Sequence, residues 1–201
     1  ALVVGCSDSD SEPAATSTAA PTRGNTATAA ATSAATQQAS GTAVPSCIVK
    51  PELTEGPYFV DVKLNRSDIR ANTSDGAVSE GDVLAINFAV SRIGGDGSCT
   101  PLENAMVDVW HCDALGVYSG VEGSADTNFL RGHQMTDASG AAAFTTIYPG
   151  WYQGRATHIH FKIRTDPDAS SGTEFTSQFF FDDALSDTIQ AKGVYASKGI
   201  S

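Results

Sequence analysis

Apolar and polar residues alternate with a period of two along several short stretches of this chain. Residues 82–92 (DVLAINFAVSR) set Leu84, Ile86, Phe88 and Val90 on one side, the spacing of a strand with one buried face. A loop rich in Gly and Asp follows from Ile93, and residues 106–112 (MVDVWHC) are dense in β-formers. Residues 136–140 (TDASG) read as a turn into a strand over 141–147. Residues 157–165 (THIHFKIRT) alternate strictly, and 174–181 (EFTSQFFF) form another strand after a loop at 166–172. Helical character is confined to residues 183–192. Short strands separated by turn signals predict an all-β fold, a β-sandwich with short helices and long loops.

The pattern stops short of the N-terminus. Residues 7–46 hold 12 Ala, 8 Thr, 7 Ser, 3 Pro and 2 Gly, 32 of 40 positions, with no aromatic residue. Such a stretch cannot bury enough apolar area to offset the entropy of ordering it, and it reads as a disordered linker. Ahead of it stands Ala1-Leu2-Val3-Val4-Gly5-Cys6, read as a signal-peptide remnant whose last four residues resemble a bacterial lipobox. A lipid anchor at Cys6 followed by a tether predicts an exported protein, a cell-surface lipoprotein or a secreted one. The folded domain is then 47–201.

Charge narrows the partners. The chain carries 12 Lys+Arg against 23 Asp+Glu, a net charge of −11, and its acidic surface predicts no nucleic-acid partner. No run of apolar residues is long enough for a transmembrane helix, so membrane contact is expected only through the anchor. Cys47, Cys99 and Cys112 fall in the folded domain. In an exported protein two of them are expected to pair, with the pairing open from sequence.

Candidate chemistry centres on two of the four histidines. His158 and His160 stand at i and i+2 of one strand, so both imidazoles project from the same face, whereas Ile159, Phe161 and Ile163 face the core. A strand can thus offer two metal ligands with little reorganisation; the alternative is a polar face shared with Lys162 and Arg164. Tyrosine phenolate suits a hard ferric ion, and Tyr148 and Tyr152 precede the histidine pair while Tyr118 follows the Trp110 strand. Cysteines are too few and scattered for a zinc or iron–sulfur site, and no phosphate loop, nucleophile elbow or metalloprotease spacing occurs.

Five segments then appear in order: Thr54-Glu-Gly-Pro-Tyr-Phe59, Val109-Trp-His-Cys-Asp-Ala-Leu-Gly-Val-Tyr-Ser119, Thr145-Thr-Ile-Tyr-Pro-Gly-Trp-Tyr152, Arg155-Ala-Thr-His-Ile-His160 and Thr176-Ser-Gln178. The series resembles the intradiol ring-cleavage dioxygenases, the non-haem Fe(III) enzymes that include catechol and protocatechuate dioxygenases. The resemblance implies Fe(III) as cofactor, with Tyr118, Tyr152, His158 and His160 as its ligands, Tyr152 and His160 axial. It implies catalytic roles for Arg155, Tyr152 and Gln178. A small aromatic diol and O₂ would be the substrates, cleaved between the hydroxyl-bearing carbons to a cis,cis-muconate-type diacid. By their positions, Tyr148 is read as a packing or pocket-wall residue, Tyr58 as lining the pocket mouth or packing beneath the N-terminal segment, and His111 and His133 as structural. Catechol dioxygenases carry an N-terminal helical dimerisation segment where this chain has its linker, so oligomeric state stays open. Family chains also run on past Tyr195-Ala-Ser-Lys198, so residue 201 is read as an early stop.

Two other readings compete. One is a non-catalytic surface lipoprotein with a β-sandwich binding domain. The other is a cupin, which also uses His-x-His but needs a Glu where Ile163 and Arg164 stand.

Overall fold

The structure is a computed structural model that describes residues 2–5, 47–168 and 172–200. Cys6 and the linker at 7–46 lie outside the described residues. The elements in chain order are β1 (Leu2–Gly5), β2 (Val83–Ile93), β3 (Cys99–Pro101), β4 (Met106–Trp110), β5 (Arg131–Met135), β6 (Ala141–Ile147), β7 (His158–Arg164), β8 (Glu174–Phe180), α1 (Asp183–Gln190) and a 3₁₀ turn at Gly193–Ser197.

Two four-stranded antiparallel sheets face each other. In one, β2 pairs with β1, β3 and β6; in the other the order is β5-β4-β7-β8. Alternation in the sequence becomes the interface between them. Ile86, Phe88, Val90, Ala142 and Phe144 of the first sheet pack against Val107, Val109, Ile159, Phe161 and Ile163 of the second. Phe88 sits at the centre, edge-on to Phe144 and Phe161 at ring separations of 5.8 and 5.4 Å. Truncating such a residue to Ala costs about 3–5 kcal/mol.

Five strands and the helix fall where the alternation predicts, within two residues at each end. The helix stops at Gln190, and its start is capped by Asp182, whose side chain accepts from Leu185 N. Cys99–Pro101 and Arg131–Met135 carry no alternating apolar signal; their partners in the sheet, not their sequence, make them strands.

The polar face of β7 that carries Lys162 and Arg164 is covered. All seven residues of the strand are buried. The segment before β2 crosses this face and supplies one counter-charge to each cation, Glu55 to Lys162 and Asp61 to Arg164, while the neighbouring strands add Glu174 of β8 and Asp108 of β4. The same segment is held to β8 by Leu53 N donating to Thr176 O at 2.9 Å and Ser177 Oγ donating to Pro51 O at 2.7 Å. At its start Cys47 is disulfide-bonded to Cys99, with Cα atoms 6.1 Å apart. Cys112 is the buried free thiol, and burial pushes it up to about 12. Among the described residues no helix is long and apolar enough to cross a membrane.

Candidate metal centre

His158 and His160 occupy the start of β7, an interior strand flanked by β4 and β8. His160 is the cross-strand partner of Trp110 on one side and of Gln178 on the other. The Trp110 and His160 rings stack with centroids 4.9 Å apart and planes at 7°. The two tyrosines arrive from loops. Tyr118 follows a tight turn in which Asp113 accepts from Leu115 N and Val117 N at 2.9 and 2.8 Å. Gly116 in that turn has φ +81, and a Cβ there would run into the Trp151 carbonyl. The Tyr118 and Tyr152 loops are therefore pressed together, and Gly150 N donates to Asp113 O at 2.9 Å.

Four donor atoms converge on one point. His158 Nε2 lies 3.0 Å from His160 Nε2, 3.1 Å from Tyr152 Oη and 3.4 Å from Tyr118 Oη. His158 Nδ1 is 2.6 Å from the Ala156 carbonyl oxygen, which only accepts, so Nδ1 carries the proton and Nε2 presents its lone pair inward. Burial, helped by the charges of His158 and Arg155, pushes His160 down to about 3, and burial also lowers His158. Both imidazoles are thus neutral, the form that ligates a metal. Burial raises both phenols; in Tyr152 this is partly offset by its hydrogen bond with Tyr118 and by the charge of Arg155. Their ionisation calls for a strong Lewis acid at the point they share.

This donor set fits a hard cation. Ligands at right angles, with metal–nitrogen bonds of about 2.1 Å, stand about 3 Å apart, the separation of the two imidazole nitrogens here. Two oxygens that can become anionic, beside two imidazoles, suit ferric iron better than a soft ion. Among the described residues no group of three or more His, Cys, Asp or Glu side chains is placed to hold a metal, so a four-donor site arises only with the tyrosines.

Arg155 closes a turn with Tyr152, its N–H donating to Tyr152 O at 3.3 Å. Its guanidinium donates to Gln178 Oε1 at 2.5 Å, and Gln178 Nε2 donates to Thr54 O at 2.8 Å. Arg155 lines two cavities. One, of about 660 Å³, lies under the 151–157 loop and is bounded by Asp183 and Asp187 of α1. The other, of about 540 Å³, is lined by Glu52, Leu53, Thr54, Arg155, Gln178 and Phe180. The smaller has apolar walls in Leu53 and Phe180 and one carboxylate, Glu52, whereas the larger has Tyr152 on its wall and two carboxylates.

The remaining candidates sit elsewhere. Tyr148 donates to or accepts from Ser186 Oγ at 2.7 Å and packs on Phe181. His111 is fully buried between Cys112 O and Thr146 Oγ1, at 2.8 and 2.6 Å. His133 is buried in β5 opposite Asp108. Tyr58 stacks on Tyr118 with ring centroids 4.4 Å apart. Sequence reasoning missed Trp110 as the ring behind His160 and the Thr54 carbonyl as the anchor of Gln178. Cross-strand register would have revealed the first; nothing local signals the second.

Residues 54–197 match a family model described as Dioxygenase. The chain is 32% identical over 147 residues to a chlorocatechol 1,2-dioxygenase of Pseudomonas sp. (strain P51), covering 64% of this chain and 54% of that protein. It is 35% identical over 131 residues to catechol 1,2-dioxygenase 2 of Acinetobacter lwoffii, covering 56% and 46%. The chain thus spans about half the length of the curated relatives it matches. A solved intradiol ring-cleavage dioxygenase from Tetranychus urticae superposes with a TM-score of 0.60 at 32% identity, over 76% of this chain and 74% of that one. Nothing in these matches favours a non-catalytic binding sandwich.

Proposed function

Since the chain belongs to the intradiol ring-cleavage dioxygenase family, we propose that it is a non-haem Fe(III) enzyme that opens catecholic rings between their two hydroxyl-bearing carbons. Both atoms of O₂ enter the product, a cis,cis-muconate-type diacid, and no external reductant is consumed. The convergence of Tyr118, Tyr152, His158 and His160 on one point carries this reading.

These four side chains would hold the iron. Bound there, Fe(III) supplies Lewis acidity that favours ionised catechol oxygens and the reaction of the electron-rich ring with O₂. The rest falls to the chain's own groups. Leu53, Thr54 and Phe180 line the open cavity beside Arg155 in which the ring would lie. Tyr152 is less buried than Tyr118, and its Oη is the atom that takes a proton from the entering diol. Arg155, aimed by Gln178, sets a permanent positive charge against the negative charge that develops on substrate oxygens.

Unsubstituted or alkyl catechols fit this site better than benzoate-type ones. Arg131 is turned onto Ser119, Lys162 is paired with Glu55 and Glu174, and Arg164 with Asp61 and Asp108. Arg155 is the one cation among the described residues lining the smaller cavity, and it is committed to the reacting oxygens.

The protein should be red to burgundy from ferric–tyrosinate charge transfer and should consume O₂ with catechol, with a muconate-type product. A colourless preparation, inert after reconstitution with iron, would end this reading. A panel of catechol, protocatechuate and hydroxyquinol resolves the substrate.

Export to the cell surface, with a lipid on Cys6, is the localisation we propose. The Cys47–Cys99 disulfide supports it, because such bonds persist outside the reducing cytosol. Cys6→Ala should release the protein from the membrane fraction; unchanged fractionation would argue against the anchor.

A further inference from the structure

Behind the donor cluster, β4, β5 and the segment before β2 enclose a cavity of about 10 Å³, lined by Phe59, Val60, Asp108, Trp110 and Arg131 among others. That is room for the centre of one water molecule. Trp110 and Arg131 are cross-strand partners, 2% and 1% exposed, and each ends in a buried N–H without an acceptor: Trp110 Nε1 and Arg131 Nη1. Buried donors left in this state are costly and call for a partner.

The occupant follows from the charges. Arg131 has no carboxylate within ion-pair distance among the described residues; its Nε and Nη2 donate to Ser119 O at 3.0 and 2.6 Å. A positive site alone would draw an anion. Asp108 also lines the cavity, however, and its oxygens accept from Arg164 at 3.0 and 2.9 Å with lone pairs to spare. Two donors and a carboxylate together suit a molecule that both accepts and donates.

We propose that this cavity holds one ordered water, accepting from Trp110 Nε1 and Arg131 Nη1 and donating toward Asp108. The water makes Trp110 and Arg131 positioning residues. Trp110 backs the His160 ring, and the Arg131 guanidinium stands 6.0 Å from the centre of the Tyr118 ring. One hydrogen-bonded unit thereby sets the attitude of one imidazole and one phenol of the site. The functional half of this inference rests on the proposed iron centre; the water itself does not.

A high-resolution crystal structure of the full chain, with bromide soaked as an anion probe, tests the occupant. One water within hydrogen-bond distance of both nitrogens is expected. An empty cavity, or bromide in it, overturns the proposal. Trp110→Phe tests the role, since it keeps a ring on His160 and removes the N–H. Iron affinity is expected to fall about tenfold, the lower end for partners behind metal ligands, with a shifted visible charge-transfer band. Wild-type affinity and an unmoved band would refute the brace, and a fold lost in the variant leaves the crystallographic test decisive. A wild-type protein that never takes up iron would instead refute the proposed function.

Discussion

Arg155 donates through Nη2 to Oε1 of Gln178 at 2.5 Å, and the same Gln178 amide donates onward to the Thr54 carbonyl oxygen at 2.8 Å. Gln178 is also the cross-strand partner of His160. One side chain of β8 therefore aims the guanidinium and closes the N-terminal segment over it. Gln178→Ala breaks both links without removing a metal donor. Its kcat/KM for catechol should fall roughly 10- to 100-fold, because displacements near 1 Å can cost 10²-fold. Oxygen uptake measures the loss, and an unchanged visible spectrum and iron content should accompany it.

Tyr148 and Tyr152 are four residues apart and end in unlike places. Tyr148 meets Ser186 and packs on Phe181, whereas Tyr152 reaches His158. Tyr152→Phe and His158→Ala should each abolish turnover, with loss or displacement of the colour. Tyr148→Phe should keep activity and lose about 1 kcal/mol of stability, one hydrogen bond's worth. Full activity in His158→Ala would refute its role as a ligand.

Burial holds His111 at about 4, below the 6.5 of an ordinary imidazole. Between those values the unfolded chain binds the proton and the folded chain does not, so stability declines as pH falls from 6.5 towards 4. The slope from this group is at most about 1.4 kcal/mol per pH unit, and above 6.5 it vanishes. Carboxylates such as Asp61, which Arg164 holds low, lose their share only below that window. Urea midpoints across the window should slope in the wild type and slope less in His111→Gln, with the remainder left by His158 and His160, which burial also lowers.

The Cys47–Cys99 bond spans 52 residues. Closing a loop of that length stabilises a fold by about 4 kcal/mol on the chain-entropy account. Cys47→Ser with Cys99→Ser should lower the denaturation midpoint accordingly. A midpoint equal to that of wild type would mean that the segment's bonds to β8 suffice.

Much of this was legible along the chain, because the relevant signals are local. A period of two sorted Ile86, Phe88 and Val90 inward and brought His158 and His160 to one face, since strand geometry alone relates residues i and i+2. The ordered motifs then named two tyrosines, an arginine and a glutamine. What local pattern could not decide was anything set by register between strands or by a segment crossing a face. Trp110 lies behind His160 only because β4 pairs with β7 in one register. Cys47 meets Cys99, and Lys162 and Arg164 gain Glu55 and Asp61 as partners, only because the segment before β2 folds across β7 and β8. Such contacts join residues 50 to over 100 positions apart, and their energies arise only once both sheets and the covering segment are in place.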